Sequence, residues 1–335
     1  MPKKIHLELI RVFAIMLVVF NHTPAFHMPL QSAEVTWSWV LMLAASLADK
    51  IGVPLFFMVS GALLLGREDS LMHVLRHRVL RMLLVLALFL VAQNAYSVGI
   101  GQLTLAEGVH QMVRLKSPAP TTWFLPAYIA FLLILPLLRI LAQHMQPRHF
   151  VYLIILHLVF YEFIPLQHTP LSPGLPSRAI DGWLYIFPLL GYAAEHGRCG
   201  AWAGNLRRLG LYATVALVAG VLLNASIALF FHRPASQQLT CFNGTVLFPA
   251  LFCYAVAKRY APTLPHGLQR VLLLLGSATF TVMLTENIFR DIISARMTDY
   301  SSSYAASCVV TLLTCGGGWL LGMLFKRIPL IRRLV

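Results

Sequence analysis

The sequence predicts an all-α polytopic membrane protein of about ten transmembrane helices, with both termini cytoplasmic and a single domain over residues 1–335. Hydrophobic residues make up 58% of the chain and charged residues only 11%, whereas a soluble domain carries roughly 25% charged residues. Apolar runs about as long as a bilayer-crossing helix recur from end to end. The cations stand in short clusters between these runs, which is the pattern that membrane topology produces.

Ten helices account for the apolar runs. They are expected at residues 5–27, 38–65, 79–98, 123–143, 150–166, 181–196, 208–231, 242–258, 270–294 and 304–325. The fifth and sixth are short enough to be tilted or partly re-entrant. Proline lacks an N–H and clashes with the preceding turn, so kinks are expected where it falls inside a predicted helix; these positions are Pro54, Pro126, Pro136 and Pro188.

The cation distribution gives an orientation and argues against other classes. With the N-terminus inside, 19 of the 26 Lys and Arg residues face the cytoplasm, six face outside and Lys50 lies within a span. The net charge of +14 therefore reflects topology, and no nucleic-acid partner is expected. The five cysteines are scattered without CxxC spacing, so neither a disulfide framework nor a metal site is predicted.

The first helix carries three ionisable residues, each of which costs roughly 2.5 to 3.5 kcal/mol at the bilayer centre. Glu8 and Arg11 are three positions apart and can pair. Arg11 and His22 share a helix face about 16 Å apart. A guanidinium suits phosphate and a buried imidazole suits proton transfer. The alternative is an Arg that extends to the headgroups and a His satisfied by Asn21 or a carbonyl.

The second and third helices add further cations. Lys50 follows Asp49 before the run IGVPLFFMVSG, which contains Ser60. Lys50 either projects into a cavity as an anion holder or lies with Asp49 at a helix end or break. Arg78 and Arg81 lie on one helical face and suit a polyphosphate, although ordinary positive-inside residues would give the same pattern.

Two later segments contain candidate residues. Trp123 stands where the chain re-enters the membrane, a position typical of an interfacial anchor. Glu286 and Asn287 interrupt the apolar run of the ninth helix. A carboxyl there must pair, protonate or face water. We therefore expect Glu286 to contact a cation of the first or second helix, such as Arg11 or Lys50, or to act as a general acid or base.

Taken in order, these segments resemble the membrane-bound acyltransferase type 3 family, and within it the bacterial branch of enterobacterial common antigen O-acetyltransferase-like proteins. The resemblance covers nearly the whole chain and depends on the joint order of several short motifs. These are Arg-x10-His (Arg11 to His22), VPLFFMVSG (Val53 to Gly61), the pair Arg78 and Arg81, WFL followed by PLL (Trp123 to Leu138), and GWLYIFPLLGY (Gly182 to Tyr192).

The resemblance implies that acetyl-coenzyme A docks from the cytoplasm and that its acetyl group reaches a hydroxyl of a cell-envelope polysaccharide or lipid-linked sugar. The implied location is the bacterial inner membrane, and the reaction needs no metal. Catalytic residues would be His22 as base or acyl relay, Arg11 and Glu286. Donor-binding residues would be Arg78, Arg81, Lys50, Ser60 and Trp123. Relatives often have a histidine where this chain has Glu286, and Gly and Tyr where it has Thr281 and Met283.

A second function class remains open from the residues themselves. Broken helices with Asp49, Lys50 and Glu286 inside spans would also fit a transporter or flippase of a polar or acyl-bearing small molecule. The two halves of the sequence show no repeat, which removes one common signature of secondary transporters. Uptake of such a solute by proteoliposomes, without any acyl transfer, would favour a transporter over an enzyme.

Overall fold

The computed structural model describes residues 4–159, 183–200, 204–234, 244–297 and 303–329, and these residues form helices and turns without any strand. The helices are α1 (Ile5–Asn21), α2 (Pro24–His27), α3 (Trp37–Asp49), α4 (Gly52–Leu64), α5 (Leu71–His73), α6 (Leu80–Gly99), α7 (Leu105–Val113), α8 (Phe124–His144), α9 (Pro147–Leu158), α10 (Trp183–Glu195), α11 (Leu206–Phe231), α12 (Gly244–Tyr260), α13 (His266–Gly276), α14 (Thr279–Ser294) and α15 (Tyr304–Phe325). The prediction of an all-α chain is confirmed for this part.

Some predicted helix ends and some residues named from the sequence lie outside the described residues. They are the end of the helix at 150–166, the start of the helices at 181–196 and 242–258, Gly182, Cys241, and the cations Lys3, Arg178, Arg332 and Arg333.

Two predicted helices are interrupted near predicted site residues, and a third, expected over 270–294, is divided between α13 and α14. The expected helix over 5–27 ends at Asn21, because Pro24 biases Thr23 to an extended backbone (φ −96°, ψ 158°) and then begins the short helix α2. The helix expected over 38–65 is divided by a turn at Lys50 and Ile51 between α3 and α4. Both breaks are close to predicted site residues.

Four helical segments of the described chain are long and apolar enough to cross a membrane: Trp37–Leu64, Thr121–His144, Leu206–Phe231 and Tyr304–Phe325. A fifth is possible if the pair His266–Gly276 and Thr279–Ser294, bent by 64°, is one broken span. Helix α1 has 17 residues, or about 25 Å, which is shorter than the roughly 30 Å hydrocarbon core. Ten spans with both termini cytoplasmic therefore stay a prediction.

The tightest packing joins α4 to α10. A Cβ at Gly61 would overlap the carbonyl oxygen of Pro188, and one at Gly191 would overlap that of Met58. The two backbones thus meet without intervening side chains, as small residues allow in membrane helices. This contact lies in the main apolar core, which includes Leu7, Ile15, Phe57, Phe131 and Phe187.

The bend between α13 and α14 is held against α1. At Gly276 a Cβ would collide with the carboxylate of Glu8, so only glycine allows this approach. Ser277, the next residue, is hydrogen-bonded to the ammonium of Lys326 just after α15. The bend therefore brings backbone from the end of α13 to the polar residues at the beginning of α1.

Candidate active site

A cavity of about 390 Å³ opens at one end of the bundle among α1, α4, α6, α8 and the bend between α13 and α14. We call it the basic cavity, because cationic side chains line one part of it. Its polar lining comprises Arg11, Ser60, Arg67, His77, Arg78, Arg81, Tyr128, Ser277 and Thr279, and its apolar lining Phe56, Leu63, Leu64, Met82, Phe124, Leu132, Phe280 and Met283. Four residues that the sequence marks, Arg11, Ser60, Arg78 and Arg81, therefore line one cavity.

Arg78 is held in place by residues outside its own helix. Its Nη2 lies 2.5 Å from Asp69 Oδ2, and the buried Arg139 donates to the same oxygen at 3.0 Å. Arg139 also donates to the backbone oxygens of Leu64 and Asp69. Burial opposes ionisation of Asp69, but the hydrogen bonds from Arg78 and Arg139 are stronger and lower its pKa. The loop after α4 thus orients a cavity arginine.

A π-helical segment, Val74–Val79, lies between α5 and α6 and carries His77 and Arg78. Such segments are rare and occur frequently at functional sites. The His77 ring stacks on His73 with 4.4 Å between centroids. This segment adds an imidazole to the guanidinium groups of the cavity.

Arg11 and Ser60 line the cavity from α1 and α4. Arg11 Nη1 donates to Glu8 Oε1 at 2.9 Å, as their spacing predicts. Ser60 donates to the Phe56 carbonyl oxygen at 2.9 Å and lies 3.4 Å from the Tyr128 hydroxyl. The guanidinium therefore faces the cavity while remaining partly neutralised by its own helix.

His22 and Glu286 form a second polar group deeper in the bundle. His22 Nδ1 lies 2.9 Å from Glu286 Oε1, an ion-pair distance without the alignment of a full hydrogen bond. Glu286 is completely buried, and its other oxygen accepts from Arg290 Nη1 at 3.3 Å. The partners of Glu286 are thus His22 and Arg290 of its own helix. Glu286 therefore contacts a residue of the first predicted helix, as expected, but that residue is His22 and not Arg11 or Lys50.

A chain of amides connects this pair with α6. Arg290 Nη2 donates to Asn287 Oδ1 at 2.6 Å, and Asn287 Nδ2 lies 3.4 Å from Gln93 Oε1. Gln93 donates in turn to the backbone oxygen of Leu284 at 3.0 Å. The end of α6 and the middle of α14 therefore share one buried network.

The basic cavity reaches close to the His22–Glu286 pair. Met283 lines the cavity and precedes Glu286 by three residues, less than one helical turn along α14. The inner wall of the cavity and the carboxylate that contacts His22 are therefore carried by neighbouring turns of α14.

Two predicted donor-binding residues do not line the basic cavity. Lys50 Nζ lies 3.4 Å from Asn21 Oδ1 and 4.2 Å from the Phe26 ring centroid, because the turn between α3 and α4 directs it toward the end of α1. Trp123 is 42% exposed, and the next residue, Phe124, lines the cavity instead. Lys50 therefore lies near the end of α1 that carries His22 and is not among the residues that line the basic cavity.

Several site residues were missed in the sequence. Arg139 and Arg290 were counted there as cations flanking the membrane, but both are buried and paired. For Arg290, the i,i+4 spacing from Glu286 was an available signal. Nothing local to the loop containing Asp69 indicates its partners, since Arg139 comes from α8.

Comparison with known proteins gives one match. The sequence model of a protein family described as an acyltransferase domain matches residues 5–325. No curated protein and no solved structure gives a significant match.

Proposed function

This chain belongs to the acyltransferase 3 family, and we propose that it is an integral-membrane O-acetyltransferase. The donor would be acetyl-coenzyme A and the acceptor a hydroxyl of a cell-envelope polysaccharide or lipid-linked sugar. The location would be the bacterial inner membrane, with both termini and the basic cavity on the cytoplasmic side. The likeness to enterobacterial common antigen O-acetyltransferase stays a prediction within this proposal.

The observation that supports the donor is the basic cavity, whose lining residue Met283 lies three positions before Glu286, the partner of His22. Arg78 and Arg81 line the cavity mouth, and guanidinium groups pair bidentately with phosphate. Toward Met283 the wall becomes apolar through Phe56 and Phe124, which suits the uncharged arm of a coenzyme A thioester. Gln93, which is hydrogen-bonded into the His22 network, lies about 18 Å beyond Arg81 along α6. An extended donor would cover that distance.

In the proposed reaction His22 acts as the base. Its Nδ1 faces Glu286, so Nε2 is the nitrogen left to remove the proton from the acceptor hydroxyl. The hydroxyl oxygen attacks the thioester carbonyl carbon and forms a tetrahedral oxyanion. The carbon–sulfur bond then breaks, and the thiolate of coenzyme A leaves with the proton that His22 carried. The products are an acetyl ester and free coenzyme A, without net release of a proton.

Two charged groups would assist this step. Glu286 would stabilise the imidazolium that forms on His22, while Arg290 keeps the carboxylate compensated in a buried position. Lys50, buried beside Asn21, would supply positive charge for the oxyanion. Both roles require charges that a water-excluding bundle holds in fixed positions.

The test is binding of acetyl-coenzyme A to the purified protein in nanodiscs. Wild type is compared with Arg78→Ala/Arg81→Ala, which should lose at least tenfold in affinity because two cationic phosphate contacts are removed. The matched control is Arg207→Ala/Arg208→Ala, two exposed arginines at the start of α11 whose backbone amides are capped by Asn205. The control should bind as wild type does.

The opposite result would favour the alternative function. If folded wild type does not bind acetyl-coenzyme A, the donor assignment is overturned. Transport then gains support from the 64° bend between α13 and α14, since broken helices form the substrate sites of many transporters. Uptake by proteoliposomes would then be measured next.

A further inference from the structure

A second cleft, of about 510 Å³, lies at the opposite end of α6 from the basic cavity. We call it the α7 cleft. It is formed by the turn after α6, one side of α7 and the segment leading toward α8. Its lining residues are Gln102, Leu103, His110, Gln111, Arg114, Lys116, Ser117 and Pro118. The proposed acetylation mechanism uses none of them.

The lining of the α7 cleft favours an anion bearing hydrogen-bonding groups. Arg114 and Lys116 contribute two positive charges, and no carboxylate is among the lining residues that the structure describes. Glu107, the acid on α7, is hydrogen-bonded to Thr104 as part of the helix N-cap. The amide groups of Gln102 and Gln111 stand beside the cations, whereas the Ser117 hydroxyl is already hydrogen-bonded to Thr122 Oγ1 and Ala119 N. This combination suits a charged saccharide, whose hydroxyls need such partners.

The two cations flank a residue with a strained backbone. Leu115 between them has φ +54°, a left-handed conformation that is uncommon for a bulky residue. Lys116 N donates to Gln111 O at 2.9 Å, the closing bond of a Schellman-type helix end that normally uses glycine. Strained residues of this kind cluster at ligand-binding sites.

Adjacent residues of α6 connect the α7 cleft with the His22–Glu286 network. Asn94 is buried and its Nδ2 donates to the Lys116 backbone oxygen at 3.0 Å. Its neighbour Gln93 donates to Leu284 O and contacts Asn287. Gln93 lies about 9 Å before Gly99 and about 18 Å after Arg81 along the axis of α6. The reacting group is therefore nearer to the end of the bundle that carries the α7 cleft.

We infer that the α7 cleft binds the acyl acceptor and that this acceptor is an anionic saccharide, an inference that rests on the proposed acetyltransferase function. The donor enters from the basic cavity at one end of α6, and the acceptor approaches from the other. Arg114 and Lys116 bind the phosphate or carboxylate of the saccharide, while a nearby sugar hydroxyl extends toward His22. Charge in the α7 cleft thus selects the acceptor.

The test measures binding of glucose 1-phosphate, as a soluble probe, to full-length protein in phosphatidylcholine nanodiscs. Excess coenzyme A fills the basic cavity, so that the phosphate does not bind there, and the measurement is repeated in the Arg78→Ala/Arg81→Ala variant. Glucose serves as the uncharged comparison and glycerol 3-phosphate as the model of a lipid headgroup. Glucose 1-phosphate is expected to bind at least tenfold more tightly than either.

The variant Arg114→Gln/Lys116→Gln should lower the affinity for glucose 1-phosphate at least tenfold. The matched control is Arg233→Gln/Arg296→Gln, which removes two exposed cations just after α11 and α14 that do not line the α7 cleft, and it should leave the affinity unchanged. Absence of glucose 1-phosphate binding, or equal loss in both double variants, would overturn the inference. Equally tight binding of glycerol 3-phosphate would assign the α7 cleft to lipid headgroups instead.

The two proposals fail independently. Acetyl-coenzyme A binding is measured on the Arg114→Gln/Lys116→Gln variant as well, where it should equal that of wild type. Donor binding without sugar-phosphate binding refutes the acceptor site and leaves the donor assignment intact. Sugar-phosphate binding without donor binding refutes the donor assignment and leaves the anion site in the α7 cleft intact.

Discussion

His22 Nδ1 and Glu286 Oε1 lie 2.9 Å apart, joining the end of α1 to the middle of α14. The carboxylate is fully buried and is shared with Arg290. A histidine and an arginine are thereby connected through the carboxylate of one glutamate. Burial without compensation would be costly for each of these groups, so the three depend on one another.

Removing the imidazole should abolish most of the acetyl transfer. His22→Ala is expected to lower kcat by about 10²- to 10⁴-fold, the contribution of a general base, with acetyl-coenzyme A binding retained. Arg11→Ala should instead weaken the donor affinity. The measurement is coenzyme A release with membranes as the source of acceptor. His144→Ala, at an exposed histidine, is the control; wild-type rates in correctly inserted His22→Ala would refute the base assignment.

Neutralising Glu286 should separate catalysis from donor binding. Glu286→Gln keeps an acceptor for Arg290 but removes the charge that stabilises an imidazolium. We expect kcat to fall by about 10²-fold while KM for acetyl-coenzyme A changes little. Glu286→Ala should in addition unfold more easily, by about 3 kcal/mol, because Arg290 loses its fully buried carboxylate partner and keeps only Asn287 and the more distant Asp291. A purely structural Glu286 would show equal losses of stability and activity in both variants.

Asp69 should affect the basic cavity through Arg78 and Arg139. Asp69→Asn is expected to weaken acetyl-coenzyme A binding several-fold and to lower stability by up to about 3 kcal/mol, because the buried Arg139 loses its carboxylate partner. Glu68→Gln, at the exposed neighbouring acid, is the matched control. Isothermal titration and thermal unfolding in nanodiscs give the two values. If Asp69→Asn binds the donor with wild-type affinity, the ion pair with Asp69 is not needed to position Arg78.

The same carboxylate predicts a pH dependence. The pKa of Asp69 is lower in the folded protein than in the unfolded chain, so its contribution to stability is present above the unfolded-state pKa and is lost as the pH falls through the folded-state value. Acid should therefore destabilise wild type more than Asp69→Asn. Unfolding temperatures of both proteins between neutral and acidic pH test this sign. Parallel curves would contradict it.

Gly61 should tolerate no side chain. Gly61→Ala places a methyl group against the Pro188 carbonyl, and the separation of α4 and α10 that follows should cost more than about 3 kcal/mol, beyond ordinary overpacking. Gly99→Ala is the control, since nothing lies within 4 Å of a Cβ there. Yield and thermal unfolding in detergent measure both. Stable Gly61→Ala protein would mean that the two helices can separate at little cost.

The helices were predictable because their signal is local. An apolar run longer than the hydrocarbon core must form a helix, since the bilayer offers no other hydrogen-bond partner to the backbone. The predicted and observed bounds of α8, α11 and α15 agree within a few residues. Departures came where proline or a turn interrupted a run, as at Pro24 and at Lys50.

The sequence by itself determined the all-α membrane class of the protein, the bounds of helices such as α6, α8, α11 and α15, and the residues Arg11, Ser60, Arg78 and Arg81 that line one cavity. Only the tertiary structure decided the pairing of charges. Whether Glu286 meets Arg11, Lys50, His22 or Arg290 depends on helix rotation and on the bend beside Gly276, which arise from packing across the whole bundle. Periodicity along one helix carries no information about which face of a distant helix it contacts.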